Sequence, residues 1–111
     1  KFYDKELEDL STVATPLTLD LAHHVYHQYT ILVEYRDKIK KFLQDRKIST
    51  AVYYPFPLHK MDLFKSENSI IFEELKNSER AAENVLSLPI EPLQSEQDSK
   101  YIVECIKEFR P

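Results

Sequence analysis

Ile48-Ser49-Thr50-Ala51-Val52-Tyr53-Tyr54-Pro55-Phe56-Pro57-Leu58-His59 is the stretch on which the reading of this chain turns. Its first half is apolar and β-branched, the chemistry of a strand. That chemistry stops after Tyr54, because Pro55 and Pro57 have no backbone N–H to donate to a ladder. The residue before each proline is pushed toward extended geometry. The segment therefore reads as a strand, Ile48–Tyr54, running into a stiff loop that presents Tyr53, Tyr54 and His59. Strand ends and rigid loops are where ligand groups usually sit.

Outward from this stretch, the chain alternates strands and helices. Upstream, Val25, Tyr29, Ile31 and Val33 alternate with Gln28, Thr30 and Glu34, which predicts a half-buried strand over Val25–Glu34. Arg36–Arg46 is an amphipathic helix with Ile39, Phe42 and Leu43 on one face. Lys1–Leu10 is a charged helical end anchored by Phe2, Leu7 and Leu10, and Ser11–Asp20 is a connector punctuated by Pro16. Downstream, Met61–Asn77 reads as a loop and a short helix bearing Ile71, Phe72 and Leu75. Asn77 or Ser78 caps a helix over Glu79–Asn84. Val85–Leu88 is a short strand stopped by Pro89. Ser95 and Asp98 resemble a capping box, and Ile102, Cys105, Ile106 and Phe109 form a stripe expected to be buried.

Two ordered patterns carry a resemblance. The first is Ile-x-Thr-x-Val-x-Tyr-Pro-x-Pro-Leu-His over 48–59, and the second is Glu-x-x-Ala-x-x-Val-Leu-Ser-Leu-Pro-Ile-x-Pro over 79–92. With His27–Ile31, Arg36-Asp37 and the terminal helix, they resemble the C-terminal small domain of the DegT–StrS class of nucleotide-sugar aminotransferases, from about Val25 to Phe109. The resemblance implies a pyridoxal phosphate enzyme that moves an amino group, typically from glutamate, to a nucleotide-linked keto sugar for surface glycans. It implies a homodimer with active sites near the subunit interface. The cofactor and the lysine that carries it would belong to a large domain outside these residues. Residues 1–20 would be the stump of the interdomain helix and its connector, and residues 21–111 the small domain. The opening residue, Lys1 rather than Met, suits an excised or processed piece.

Element order and resemblance agree on the fold class: α/β in the α+β, two-layer sense, a small, mainly antiparallel sheet of three to four strands with helices packed on one face. By the resemblance, Tyr53, Tyr54 and His59 lie near the nucleotide-sugar pocket. Family members often have histidine where Tyr53 stands, so an ionisable group is lost there and an aromatic donor kept. A tyrosine ring can stack on a planar ligand face while its hydroxyl bonds a phosphate or sugar oxygen. His59 would reach substrate phosphate if protonated. Against this stands the plainer reading of a packed aromatic pair and a surface histidine. The family also carries a glycine after the Arg36–Arg46 helix, where this chain has Lys47. Its helix must therefore end by another route.

Composition narrows the classes further. The 111 residues carry a net charge of −4, with 42% hydrophobic and 31% charged residues, an ordinary balance for a water-exposed domain. The only clustered positive charge, Lys38–Lys41, alternates with Ile39 and Phe42 as the wet side of a helix, so no nucleic-acid surface is expected. No apolar run approaches the roughly 20 residues that span a bilayer. Cys105 is the single cysteine; it reads as a small buried hydrophobe in a reducing, cytoplasmic protein. Glycine is absent, where roughly eight would be usual, so the chain has no glycine-rich phosphate cradle. No metal site is expected from His23, His24, His27 and His59: on an extended strand His23 and His27 would lie about 13 Å apart. No catalytic or cofactor-binding residue is assigned. The rival reading is a stand-alone α/β binding module without catalysis, which fold alone leaves open.

Overall fold

Tyr29–Val33 is the central strand of the computed structural model, which describes residues 2–64 and 74–111. Tyr29, Ile31 and Val33 point into the core, and Thr30 and Leu32 point away from it. In chain order the elements are α1 (Phe2–Leu7), β1 (Val13–Ala14), β2 (Tyr29–Val33), α2 (Arg36–Asp45), α3 (Lys76–Asn84), β3 (Val85–Leu88) and α4 (Glu96–Glu108). Short 3-10 turns at Leu58–Lys60 and Asp62–Phe64 lie between α2 and α3. The sheet is antiparallel in the order β1-β2-β3. Its register sets Tyr29 opposite Leu88, Thr30 opposite Ser87 and Val13 opposite Val33.

One face of the sheet meets Leu7 of α1, Ile39 and Leu43 of α2, and Ile102, Val103, Cys105 and Ile106 of α4. This is the α+β architecture expected from the sequence. α3 stands outside that core cluster, and its buried residue is Ala82. Arg36 ties α3 back to α2: its guanidinium donates to the carbonyls of Ala82 (3.0 Å) and Val85 (3.4 Å), where the carbonyl end of a helix favours positive charge.

Several boundaries differ from the sequence expectation. The first long strand begins at Tyr29 rather than Val25, because Tyr26 has left-handed backbone (φ 49°), which breaks an extended run. The strand expected over Ile48–Tyr54 is reduced to one bridge, in which Ala51 and Ser87 exchange both backbone hydrogen bonds (3.1 and 2.8 Å). The expected connector contains β1, formed after the Leu10–Val13 turn. α3 starts at Lys76 without a side-chain cap, since the Glu79 N–H already bonds the Leu75 carbonyl, so neither Asn77 nor Ser78 serves as cap. Leu75 is the exposed residue before that helix, while Ile71 and Phe72 lie outside the described residues. Phe109 is half-buried at the end of α4, edge-on to Phe42 at 5.4 Å, because the helix ends there and the ring leaves the stripe.

α2 ends with Lys47 in left-handed backbone (φ 64°). The Ile48 N–H bonds the Leu43 carbonyl (2.9 Å) and the Lys47 N–H bonds that of Gln44 (3.0 Å). This is the Schellman closure, completed by the buried pair Leu43 and Ile48, so the helix does not end by another route as expected: lysine takes the left-handed place where glycine is usual.

Candidate functional site

The Tyr53–Phe64 loop leaves the sheet at the Ala51 bridge. Tyr53 and Tyr54, joined by a cis peptide, set their rings edge to face with centroids 6.0 Å apart. Tyr54 is 73% exposed and Tyr53 47%. Phe56, Leu58 and Leu63 are exposed as well. The loop thus presents an apolar and aromatic surface that the described residues leave exposed.

His59 sits differently from its two companions. Its side chain is 13% exposed, and its Nε2 lies 2.9 Å from Glu79 Oε1 in the first turn of α3. Lys60 Nζ reaches the other oxygen of the same carboxylate at 3.1 Å. Hydrogen bonds from His59 and then Lys60 hold the Glu79 carboxyl below its ordinary range. The pair His59 and Lys60 therefore clips the tyrosine loop to α3.

An open cavity of about 380 Å³ lies beside Tyr53, lined also by His27, Gln28, Ser49, Thr50 and Ser87. Ser87 shares a 2.8 Å hydroxyl hydrogen bond with Thr30 across the strands. The structure thus brings Tyr53 together with His27 and Gln28, which the periodicity had placed within a strand. Nothing in the local sequence signals this, because the left-handed turn at Tyr26 falls on a residue type that does not announce one. Upstream, Leu17, Leu19, Leu21 and Val25 are also strongly exposed, Leu17 at 94%.

A second aromatic group stabilises this end of the sheet. Tyr29 donates to Asp4 Oδ1 (2.6 Å) and Tyr26 to Asp4 Oδ2 (3.4 Å), so one carboxylate of α1 is gripped by two tyrosines. Burial, and then the Asp4 carboxylate, push the Tyr29 phenol far above its ordinary range and keep it a neutral donor. Tyr3 donates to the Pro89 carbonyl at 2.9 Å, where β3 ends.

Each helix carries its own carboxylate in its first turn: Asp4 in α1, Asp37 in α2, Glu79 in α3, and Glu96 and Asp98 in α4. A bound phosphate would meet like charge at every one of these termini. Among the described residues no group of three or more His, Cys, Asp or Glu side chains could hold a metal ion, and no helix is long and apolar enough to cross a membrane.

Residues 1–107 match the model of the DegT/DnrJ/EryC1/StrS aminotransferase family, and the chain belongs to that family. It is 41% identical over 111 residues to a pleiotropic regulatory protein of Geobacillus stearothermophilus, covering 96% of this chain and 29% of that protein. It is 36% identical over 85 residues to a UDP-N-acetyl-3-dehydro-alpha-D-glucosamine 3-aminotransferase of Acidithiobacillus ferrooxidans, covering 77% of this chain and 22% of the relative. Among solved structures, S. venezuelae DesV in complex with a ketimine intermediate superposes with a TM-score of 0.87 at 29% identity, over 96% of this chain and 28% of that one. A family aminotransferase from Brucella abortus gives 0.84 at 33% identity, over 95% and 27%. The chain therefore spans under a third of the length of the proteins it resembles.

Proposed function

We propose that this chain is the C-terminal small domain of a pyridoxal-phosphate-dependent aminotransferase that acts on a nucleotide-linked keto sugar. The observation that carries the reading is the family match across residues 1–107, together with relatives more than three times as long. In it, residues 1–20 join the small domain to the large one and residues 21–111 form the small domain. The protein is a cytoplasmic homodimer; the free, buried thiol of Cys105 suits a reducing compartment. Bound elsewhere in the full chain, pyridoxal phosphate supplies the electron sink for amino transfer. The residues described here do not fit that cofactor, because every helix N-terminus is already met by its own carboxylate. This domain's part is to wall the substrate pocket.

Tyr53 and Tyr54 are the substrate-binding residues of this wall, and His59, expected to join them, positions their loop. The tyrosines offer ring faces and hydroxyls, and His59, held through Nε2 by Glu79, fixes where the loop stands. A stand-alone binding module is less well supported, because Phe56, Leu58 and Leu63 would then stay in water.

The test uses the full-length protein, with the two half-reactions followed separately by single-turnover absorbance. Tyr54→Phe should slow the half-reaction with the sugar by about two- to tenfold, the range of one neutral hydrogen bond. The half-reaction with glutamate should hold its rate, because glutamate is small and sits deeper, by the cofactor. Equal losses in both halves would point to a folding defect. A full-length protein inert toward every nucleotide keto sugar would overturn the reading.

A further inference from the structure

The backbone turn at Tyr26 does no work for the sheet, since β2 begins three residues later, yet it is firmly held. The Tyr26 N–H donates to His24 Nδ1 at 2.8 Å, and the two rings stack with centroids 4.2 Å apart. The Tyr26 hydroxyl donates to Asp4, and its ring lies 5.6 Å from that of Tyr29. Left-handed backbone at a tyrosine costs free energy and persists only where its surroundings enforce it. Its geometric result is to roll the tyrosine inward and to bring the next two residues, His27 and Gln28, to the cavity that Tyr53 also lines.

We propose that His27 and Gln28 are further substrate-binding residues, and that they take the hydroxyl-bearing sugar ring rather than the diphosphate of the nucleotide-linked substrate; the proposal rests on the aminotransferase reading above. The cavity's chemistry selects that part of the ligand. Its described lining sets an imidazole, a carboxamide, the hydroxyl-bearing Ser49, Thr50 and Ser87, and Tyr53 beside the apolar Ala51, Leu88, Pro89 and Ile90, and includes no lysine, arginine or carboxylate. A diphosphate calls for fixed positive charge and bidentate donors. A sugar ring calls for neutral donors and acceptors around its hydroxyls and an aromatic surface against its C–H face. About 380 Å³ is within the size range of small-molecule pockets. The sugar ring then lies between the Tyr53 loop on one side and the residues behind the Tyr26 turn on the other.

Calorimetric titration of the full-length holoenzyme with UDP-N-acetylglucosamine and with UDP alone, and with the corresponding thymidine nucleotides, tests this. His27→Ala should weaken binding of the nucleotide sugar by about two- to tenfold and leave the nucleoside diphosphate unchanged. His27→Asn, which keeps an N–H donor on a short side chain, should recover most of that loss and shows that the alanine effect is not a collapse of the turn. Unchanged binding of both ligands by His27→Ala overturns the proposal. An equal loss for both also overturns it, by placing His27 against the nucleotide. A wild-type holoenzyme that transaminates a nucleotide keto sugar while His27→Ala is neutral leaves the aminotransferase reading standing and removes only this inference; a wild type that neither binds nor transaminates such a sugar removes both.

Discussion

The helical face of the sheet and the loops at its open end follow opposite rules. Leu7, Tyr29, Ile31, Ile39, Leu43 and Leu86 are sealed from water by other residues of this chain. Leu17, Leu19, Leu21 and Val25 in one segment, and Tyr54, Phe56, Leu58 and Leu63 in the other, stand in solvent. The two sets are chemically alike, so hydrophobicity alone does not decide which is buried. The first set sits at the helix and strand periods that aim side chains at one another. The second sits on irregular backbone, and no described residue of this chain seals it from water. An exposed apolar surface of this kind marks an interaction site; on the reading proposed above, the large domain covers it.

The sharpest way to break the comparison is to substitute a leucine in each region. Leu43→Ala in this chain removes a fully buried side chain that also closes the end of α2. It should cost about 2–5 kcal/mol in urea denaturation, a large part of the 5–15 kcal/mol typical of a domain. Leu21→Ser should move the same midpoint by less than about 0.5 kcal/mol, as for an ordinary surface position. In the full-length protein Leu21→Ser should instead cost about 1.5–3 kcal/mol, the value of burying a leucine. If Leu21→Ser is neutral there too, the segment is solvent-facing in the whole protein and the contrast between the two regions is only one of sequence.

What was legible in the sequence follows the same divide. Periodicity found β2, α2, β3 and α4 because their side chains alternate or repeat toward a core within the chain. The capping-box pattern, in turn, found the Ser95 cap, whose Oγ accepts from the Asp98 N–H at 3.0 Å. Periodicity missed β1, since two residues carry no period. It overran at Val25, where Tyr26 turns left-handed, and at Ile48–Tyr54, where pairing with β3 is limited to the Ala51 bridge. The missing glycines hid the turns. Left-handed positions are usually announced by glycine or asparagine, whereas here Tyr26, Tyr35 and Lys47 occupy them. Nor was the turn at Lys47 anticipated: the family glycine it replaces pointed to another ending, yet lysine takes the same left-handed backbone. Tyr53 and Tyr54 were legible as exposed groups at the end of an extended segment. That Glu79 would hold His59 from twenty residues away was not, because no local period links a loop to the first turn of a later helix.

Lys47 allows the packed region to be improved without touching its contacts. A non-glycine residue in left-handed backbone costs roughly 1–2 kcal/mol, and glycine would give back part of that through the greater freedom of its unfolded chain. Lys47→Gly should therefore stabilise the chain by about 0.5–1 kcal/mol, a rise of a few degrees in Tm for a domain of this size. Lys47→Ala keeps the backbone cost and should bring no gain. A Tm that falls in Lys47→Gly would mean that the lysine side chain contributes more than its backbone costs.

The smallest expected effect lies in the exposed region, where Glu79 holds His59 and Lys60. Its carboxyl titrates below the ordinary value of 4.5 in the folded chain, by virtue of those two hydrogen bonds. A depressed carboxyl favours the folded arrangement above its ordinary value, and the advantage disappears as the pH falls through the lower folded value. The clip should thus be intact at neutral pH and open progressively below about pH 4.5. Because the group is exposed, the consequence is local: the tyrosine loop loosens while the core stays folded. Near-UV circular dichroism, to which the fixed Tyr53–Tyr54 pair contributes, should show a transition in that window, ahead of the far-UV signal. Glu79→Gln, which has no carboxyl to titrate, should lack this early transition. If both proteins lose near-UV and far-UV signal together at one pH, the loop has no separate attachment, and Tyr53 and Tyr54 are held by the sheet alone.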